Sequence, residues 1–270
     1  MAKRVISSVI GLPLLMLFII MGGIYLKIAV GVIIIIAMSE VFHAFSKKTS
    51  IVHYIGYLYA GVYMFFADRL SEPHILPIIL ILLTISVLMA LVFFSDKVGI
   101  KDCAVTIMVF CYIAVLMSTI YLLRMSRYGH FFVWLSFIAA WGCDTGAYFT
   151  GVTIGKHKLV PKLSPKKTIE GSIGGVVLAT LLATGYGFII ATFFSSLEEV
   201  NVLGFCATAG FVGSILSQFG DLTASAIKRY TGIKDYGKII PGHGGIMDRF
   251  DSVLFTAPVI YAVMVLMDKV

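Results

Sequence analysis

Ser225, Lys228, Arg229, Lys234, Asp235, Lys238, His243, Gly244, Gly245, Asp248, Arg249 and Asp251 crowd into one stretch, 225–251, of an otherwise oily chain. Clustered cations suit a substrate that carries several phosphates. Glycines let the backbone approach an anion closely and turn its N–H groups toward it. Asp248 and Asp251 are three positions apart and share a face if the segment is helical. Two carboxylates on one face can hold a hard divalent cation such as Mg²⁺, which keeps waters and substrate phosphates as its other ligands. Together these parts point to phosphoryl or nucleotidyl transfer.

The elements that must position this stretch are hydrophobic. The chain has 270 residues, 59% of them hydrophobic and 13% charged, with a mean hydropathy of +0.99. An average soluble domain carries about 25% charged residues, so the composition describes an integral membrane protein. The apolar runs are unbroken rather than alternating, which favours helices over a barrel. The expected fold is all-α and polytopic, with about nine transmembrane helices at 5–22, 24–43, 51–67, 74–95, 103–123, 130–152, 171–195, 202–227 and 250–267. The basic start and apolar run of the first 22 residues read as an uncleaved first span. Residues 1–129 form an N-terminal helical scaffold, a lipid cavity or an oligomer interface, and 130–270 carry the chemistry, within one structural unit.

Orientation follows from the basic residues. An N-terminus on the cytoplasmic side leaves only Lys27, Arg69, Arg124, Arg127 and Lys269 outside, in keeping with the positive-inside bias. The net charge of +7 then reflects loops facing anionic lipid rather than nucleic acid. Cys103, Cys111, Cys143 and Cys206 form no CxxC pair and read as small buried hydrophobes. Glu40 and His43 read as interfacial, and His53, His74 and His130 as packing residues near span ends.

Beyond the basic stretch, two acids lie deep in apolar runs. Asp144 sits within span six and Asp221 within span eight. Such acids normally face a cavity or a partner. For Asp144 the readings are a metal ligand, a base, or an interhelical hydrogen bond. Ser214, Ser217, Gln218, Asp221 and Ser225 fall on one helical stripe that asks for a polar neighbour. Lys156, Lys158, Lys162, Lys166 and Lys167 populate the loop after span six, where they serve topology or bind phosphate. Ser164-Pro165 could begin a helix there, and Thr168 or Ser172 could cap one, offering an N-terminus to phosphate. Gly171, Gly175, Ala179, Ala183 and Gly187 recur every four residues and read as helix packing.

The 225–251 string resembles the signature of phosphatidate cytidylyltransferases, also called CDP-diacylglycerol synthases. That signature runs Ser-x-apolar-Lys-Arg, four residues, Lys-Asp, then a turn into His-Gly-Gly-apolar-x-Asp-Arg-apolar-Asp. Ser225, Lys228, Arg229, Lys234, Asp235, His243, Gly244, Gly245, Asp248, Arg249 and Asp251 fill every fixed position. The Asp144-Thr145-Gly146-Ala147-Tyr148 and Ser164-Pro165-Lys166-Lys167-Thr168-Ile169-Glu170-Gly171 strings look like the same family. The resemblance implies a nucleotidyltransferase that converts CTP and phosphatidate to CDP-diacylglycerol and pyrophosphate. It implies Mg²⁺ at Asp221, Asp248 and Asp251, with Asp144 in the set and room for a second cation. Lys228, Arg229, Lys234, Lys238 and Arg249, with Lys166 and Lys167, would grip phosphates. Ser225 and the backbone at Gly244 and Gly245 would belong to the substrate site. His243 either donates to pyrophosphate or orders the turn. The implied partners are CTP, phosphatidate and membrane lipid, and a homodimer is compatible with them. The implied location is a prokaryotic cytoplasmic (inner) membrane, with the active site facing the cytoplasm. Two alternatives stay open: a related CTP-dependent transferase or kinase acting on a polyprenol or ether lipid, and an ion-coupled transporter using Asp144 and Asp221. A transporter has no use for the His-Gly-Gly and Lys-Arg loop.

Overall fold

The computed structural model describes residues 2–46, 49–70, 72–194, 201–239 and 244–267. Two compact units divide the chain: Met1–Met125 with Thr231–Arg249, and Ser126–Tyr230 with Phe250–Val270.

The first unit is built from α1 (Ala2–Met21), α2 (Gly23–Phe45), α3 (Ile51–Phe65), α4 (Ile75–Phe93), α5 (Ile100–Val109) and α6 (Leu116–Met125). A π-helical turn, Phe110–Val115, joins α5 to α6, giving one continuous span, Ile100–Met125. Polar residues punctuate the apolar runs. The Ser50 N–H donates to His53 Nδ1 at 3.2 Å and starts α3. The Gly99 N–H donates to Asp102 Oδ2 at 3.1 Å and starts α5. Between α1 and α2 the backbone turns at Gly22, with φ 63°, the left-handed region that glycine enters without penalty. The Arg124 guanidinium fills the room beside it and donates to the carbonyls of Ile19 at 2.7 Å and Ile20 at 3.0 Å. It thereby satisfies carbonyls that the end of α1 leaves over. Lys27 pairs with Asp68 at 2.5 Å and donates to the Phe65 carbonyl at 2.9 Å. Asp68 in turn accepts from the Tyr121 hydroxyl, so α2, the end of α3 and α6 are tied by polar contacts.

The long helices α2 and α4 each bury one face and leave an apolar one outward. In α2, Leu26, Val30, Ile34, Ala37, Met38 and Val41 are buried, while Ile24, Ile28, Val32 and Ile35 are exposed. In α4, Ile78, Ile81, Leu82, Ile85, Leu88 and Val92 are exposed. Apolar surface on that scale has no stable place in water and suits a lipid bilayer. Among the described residues, five helices are long and apolar enough to cross one: Gly23–Phe45, Ile75–Phe93, Ile100–Met125, Ile169–Phe193 and Val202–Thr231. Ile51–Phe65 and Val253–Leu266 are apolar but shorter. The chain is predominantly helical, and its apolar helices fit an integral membrane protein, as its composition indicates.

The second unit contains α7 (Gly129–Ile154), the strands β1 (Lys158–Val160) and β2 (Ser164–Thr168), α8 (Ile169–Phe193), α9 (Val202–Thr231) and α11 (Val253–Met267). The short α10 (Met247–Phe250) carries the chain back into it. The four-residue repeat on α8 is its packed face: Gly171, Gly175, Ala179, Ala183 and Gly187 are all buried. A Cβ on Gly175 would stand 2.7 Å from the Cys143 carbonyl oxygen. One on Gly146 of α7 would stand 2.8 Å from the Gly174 carbonyl oxygen and from Leu178 Cβ. Small residues thus let α7 and α8 meet backbone to backbone. Tyr186 Oη adds a bond to the Phe131 carbonyl at 2.7 Å, and Thr256 of α11 donates to the Ser136 carbonyl at 2.8 Å.

Three local expectations are corrected. Ser164-Pro165 does not begin a helix; it lies in β2, antiparallel to β1, with Val160 opposite Ser164 and Lys158 opposite Thr168. Extended backbone suits the residue preceding a proline, and the helix starts four residues later. Asp248 and Asp251 do not share one helix: α10 ends at Phe250 and α11 starts at Val253, leaving Asp251 in the turn between them. Cys111 is exposed, whereas Cys103, Cys143 and Cys206 are buried as expected.

Candidate active site

In the second unit the site is assembled around the β1–β2 hairpin. Thr168 caps α8, its Oγ1 accepting from the Gly171 N–H at 3.1 Å. Glu170, in the first turn of that helix, accepts from the Lys156 N–H at 3.1 Å and the His157 N–H at 3.2 Å, and meets His157 Nδ1 at 2.6 Å. The hairpin is therefore fastened at its base, and the lysines it carries have a defined origin. Lys158, Lys166 and Lys167 line a cavity of about 440 Å³, together with Asp144, Tyr148, Ser172 and Gln218. Its volume falls in the range of small-molecule sites.

Asp144 thus faces a cavity, and so do Lys166 and Lys167. Lys167 Nζ forms an ion pair with Asp221 of α9, both side chains partly exposed. One turn earlier, Gln218 exchanges hydrogen bonds with Ser172, its Nε2 lying 3.3 Å from the Ser172 carbonyl. The polar stripe of α9 is only partly directed at the cavity. Ser214 and Ser217 are buried, and each donates to a carbonyl three residues earlier in its own helix. Short hydroxyls satisfy themselves in this way inside apolar helices.

A Cβ on Gly220 would collide with the Asp251 carbonyl, so α9 and the turn before α11 touch at the level of Asp221. Asp251 interacts electrostatically with Asp221 and Asp144, and Lys228 acts on it with the opposite sign. Asp251 also accepts from the Ser252 N–H at 2.7 Å. Lys228 and Ser225 are partly exposed. Arg229 is exposed and approaches the Leu163 carbonyl at 3.4 Å.

The first unit holds the remaining candidates. Asp248 Oδ2 accepts from the Tyr236 N–H at 2.8 Å and the Gly245 N–H at 3.0 Å, drawing these two backbone positions onto one carboxylate oxygen. Gly244 has φ 89°, and a Cβ there would stand 2.8 Å from Asp248 Oδ2. Lys234, Lys238 and Arg249 are exposed. His243 lies outside the described residues. Glu40 was not among the expected site residues. It is 5% exposed and accepts from the Ile246 N–H at 3.0 Å and the Met247 N–H at 2.9 Å. The signal that singled out Asp144, an acid within an apolar run, applies equally to Glu40. His53 is a packing residue, stacked on Phe42 with ring centroids 4.2 Å apart.

Among the described residues, no group of three or more His, Cys, Asp or Glu side chains is arranged as a set of metal ligands. The second unit does supply carboxylate oxygens, the donors Mg²⁺ takes, and Asp221 and Asp144 act electrostatically on Asp251.

Residues 2–267 match the model of the cytidylyltransferase family. The chain is 33% identical over 277 residues to the phosphatidate cytidylyltransferase of Bacillus subtilis (strain 168), covering 98% of both chains. It is 31% identical over 274 residues to that of Staphylococcus haemolyticus (strain JCSC1435), covering 99% of this chain and 100% of the relative. It is also 31% identical over 269 residues to that of Staphylococcus aureus (strain COL), covering 98% and 99%.

Proposed function

Because the chain belongs to the cytidylyltransferase family, we propose that it transfers CMP from CTP to phosphatidate, giving CDP-diacylglycerol and pyrophosphate. The observation that carries this reading is the cavity in which Lys158, Lys166 and Lys167 face Asp144, on a chain that matches phosphatidate cytidylyltransferases over nearly its whole length. The nine-span topology, with the N-terminus and the basic loops in the cytoplasm of a bacterial inner membrane, belongs to the same proposal. The positive-inside bias of the loops supports it.

In the proposed reaction a phosphate oxygen of phosphatidate attacks the α-phosphorus of CTP. The new O–P bond forms as the bond from the α-phosphorus to the bridging oxygen of the β-phosphate breaks, and that oxygen leaves with pyrophosphate. The nucleophile is already an anion, so positioning and charge neutralisation outweigh general base catalysis. Asp221 and Asp251, with Asp144 and Asp248, would hold Mg²⁺, with room for a second cation. Bound there, the cation supplies charge neutralisation on phosphate oxygens. Lys166, Lys167, Lys228, Arg229, Lys234, Lys238 and Arg249 neutralise and orient phosphates. Lys167 also holds Asp221 in place through its ion pair. Ser225 and the backbone about Gly244 and Gly245 would complete the substrate contacts, with the Gly245 N–H itself held by Asp248 Oδ2, and His243 either donates to pyrophosphate or orders the turn.

The decisive experiment is product analysis with purified protein. With CTP, phosphatidate and Mg²⁺, pyrophosphate and CDP-diacylglycerol appear in equal amounts. No pyrophosphate, or equal turnover with a polyprenol phosphate in place of phosphatidate, would overturn the assignment. A narrower expectation concerns Lys228. Loss of a charge-assisted hydrogen bond is worth about 1.5–3 kcal/mol, so Lys228→Ala raises KM by roughly tenfold or more. Unchanged steady-state constants would leave this lysine a topological role only.

A further inference from the structure

Glu40 is a buried acid for which the proposed chemistry has no use. It lies near the end of α2, 5% exposed, and its two carboxylate oxygens are spent separately: Oε1 on the Ile246 N–H at 3.0 Å and Oε2 on the Met247 N–H at 2.9 Å. The preceding amide, Gly245 N–H, goes to Asp248 Oδ2 at 3.0 Å. Three consecutive backbone donors are thus divided between two carboxylates. The Arg249 N–H closes the turn on the Ile246 carbonyl at 3.0 Å. Gly237 and Gly245 both lack a Cβ where the Glu40 carboxyl stands, and an alanine at either would collide with it.

An acid is a poor choice for filling space inside an apolar bundle, since burying its charge is costly unless it is hydrogen-bonded. What it offers over a hydrophobe is direction: two acceptors at fixed separation that select one backbone conformation of the turn. We infer that Glu40 is a positioning residue, which sets the backbone at 245–247 and through it the placement of Asp248 and Arg249. Groups that hold functional carboxylates or loops in this indirect way commonly matter about tenfold to a hundredfold in activity. The inference rests on the proposed cytidylyl transfer for its activity readout and on geometry alone for its second readout.

The test uses the full chain in detergent. Glu40→Gln keeps the shape but replaces one acceptor with an NH₂ that faces a backbone N–H. It lowers kcat/KM about tenfold to a hundredfold. Hydrogen exchange accelerates at 244–247 and stays unchanged along the buried part of α3. Turnover within twofold of the unaltered protein, or exchange accelerated equally throughout α2 and α3, would overturn the inference. Should Glu40→Gln fail to fold, Gly245→Ala disturbs the same contact from the other side with Glu40 intact. It produces the same local exchange and the same loss, and normal turnover would again overturn the inference. An unaltered protein without cytidylyl transfer removes the functional reading, while the exchange arm still judges Glu40.

Discussion

Asp251→Asn lowers Mg²⁺-dependent formation of CDP-diacylglycerol on the order of a hundredfold or more, the scale on which preorganised charge acts in such sites. Asp248→Asn does the same. The protein in each case remains folded in detergent. The Asp251 carboxylate interacts electrostatically with Asp221 and Asp144, like charges that a cation would relieve. Replacing one carboxylate with an amide removes that attraction without changing the volume. At Asp248 the acceptor role is kept as well: an asparagine oxygen can still accept from the Tyr236 and Gly245 N–H groups that now converge on Oδ2. A loss of activity with an unchanged melting temperature therefore reports charge rather than structure. Near-normal turnover in both variants would remove the metal assignment.

Gly175→Val leaves the second unit unable to pack. The added Cβ alone would stand 2.7 Å from the Cys143 carbonyl and 2.9 Å from its Sγ. Backbone atoms cannot swing aside as a side chain would, so α7 and α8 must separate along their shared face. Overpacking costs typically about 1–3 kcal/mol and occasionally more, and here the whole zipper of small residues shares the strain. Little detergent-stable protein is expected, with a melting temperature many degrees lower in what survives. Gly185→Val is the control. It lies on the same helix, where an added Cβ would meet no described atom within 4 Å, and it should leave melting nearly unchanged. Equal behaviour of the two variants would refute the close helix approach.

Much of this was legible in the chain itself. Unbroken apolar runs identify helices because a bilayer lets no other continuous element satisfy its own backbone. The four-residue spacing on α8 announced its packed face because small residues matter only where backbones meet. Asp144 was recognisable as a cavity residue because an acid in an apolar run needs one. The hairpin at 158–168 was not, since its strands are short and lysine-rich and carry no alternation of apolar and polar residues to mark a strand. The division of labour within the stripe of α9 was also hidden: a serine that bonds to its own helix and one that faces a cavity look alike in sequence. Glu40 carried the same signal as Asp144, but its partners, 206 and 207 residues away, lie at a separation no local pattern encodes.

That separation also bears on how the protein is made. α2 is synthesised well before the amides that receive its acid, which follow Glu40 by 206 and 207 residues. Until then the nascent first unit carries a carboxyl without its lasting acceptors, and chains cut short before Ile246 would carry it permanently.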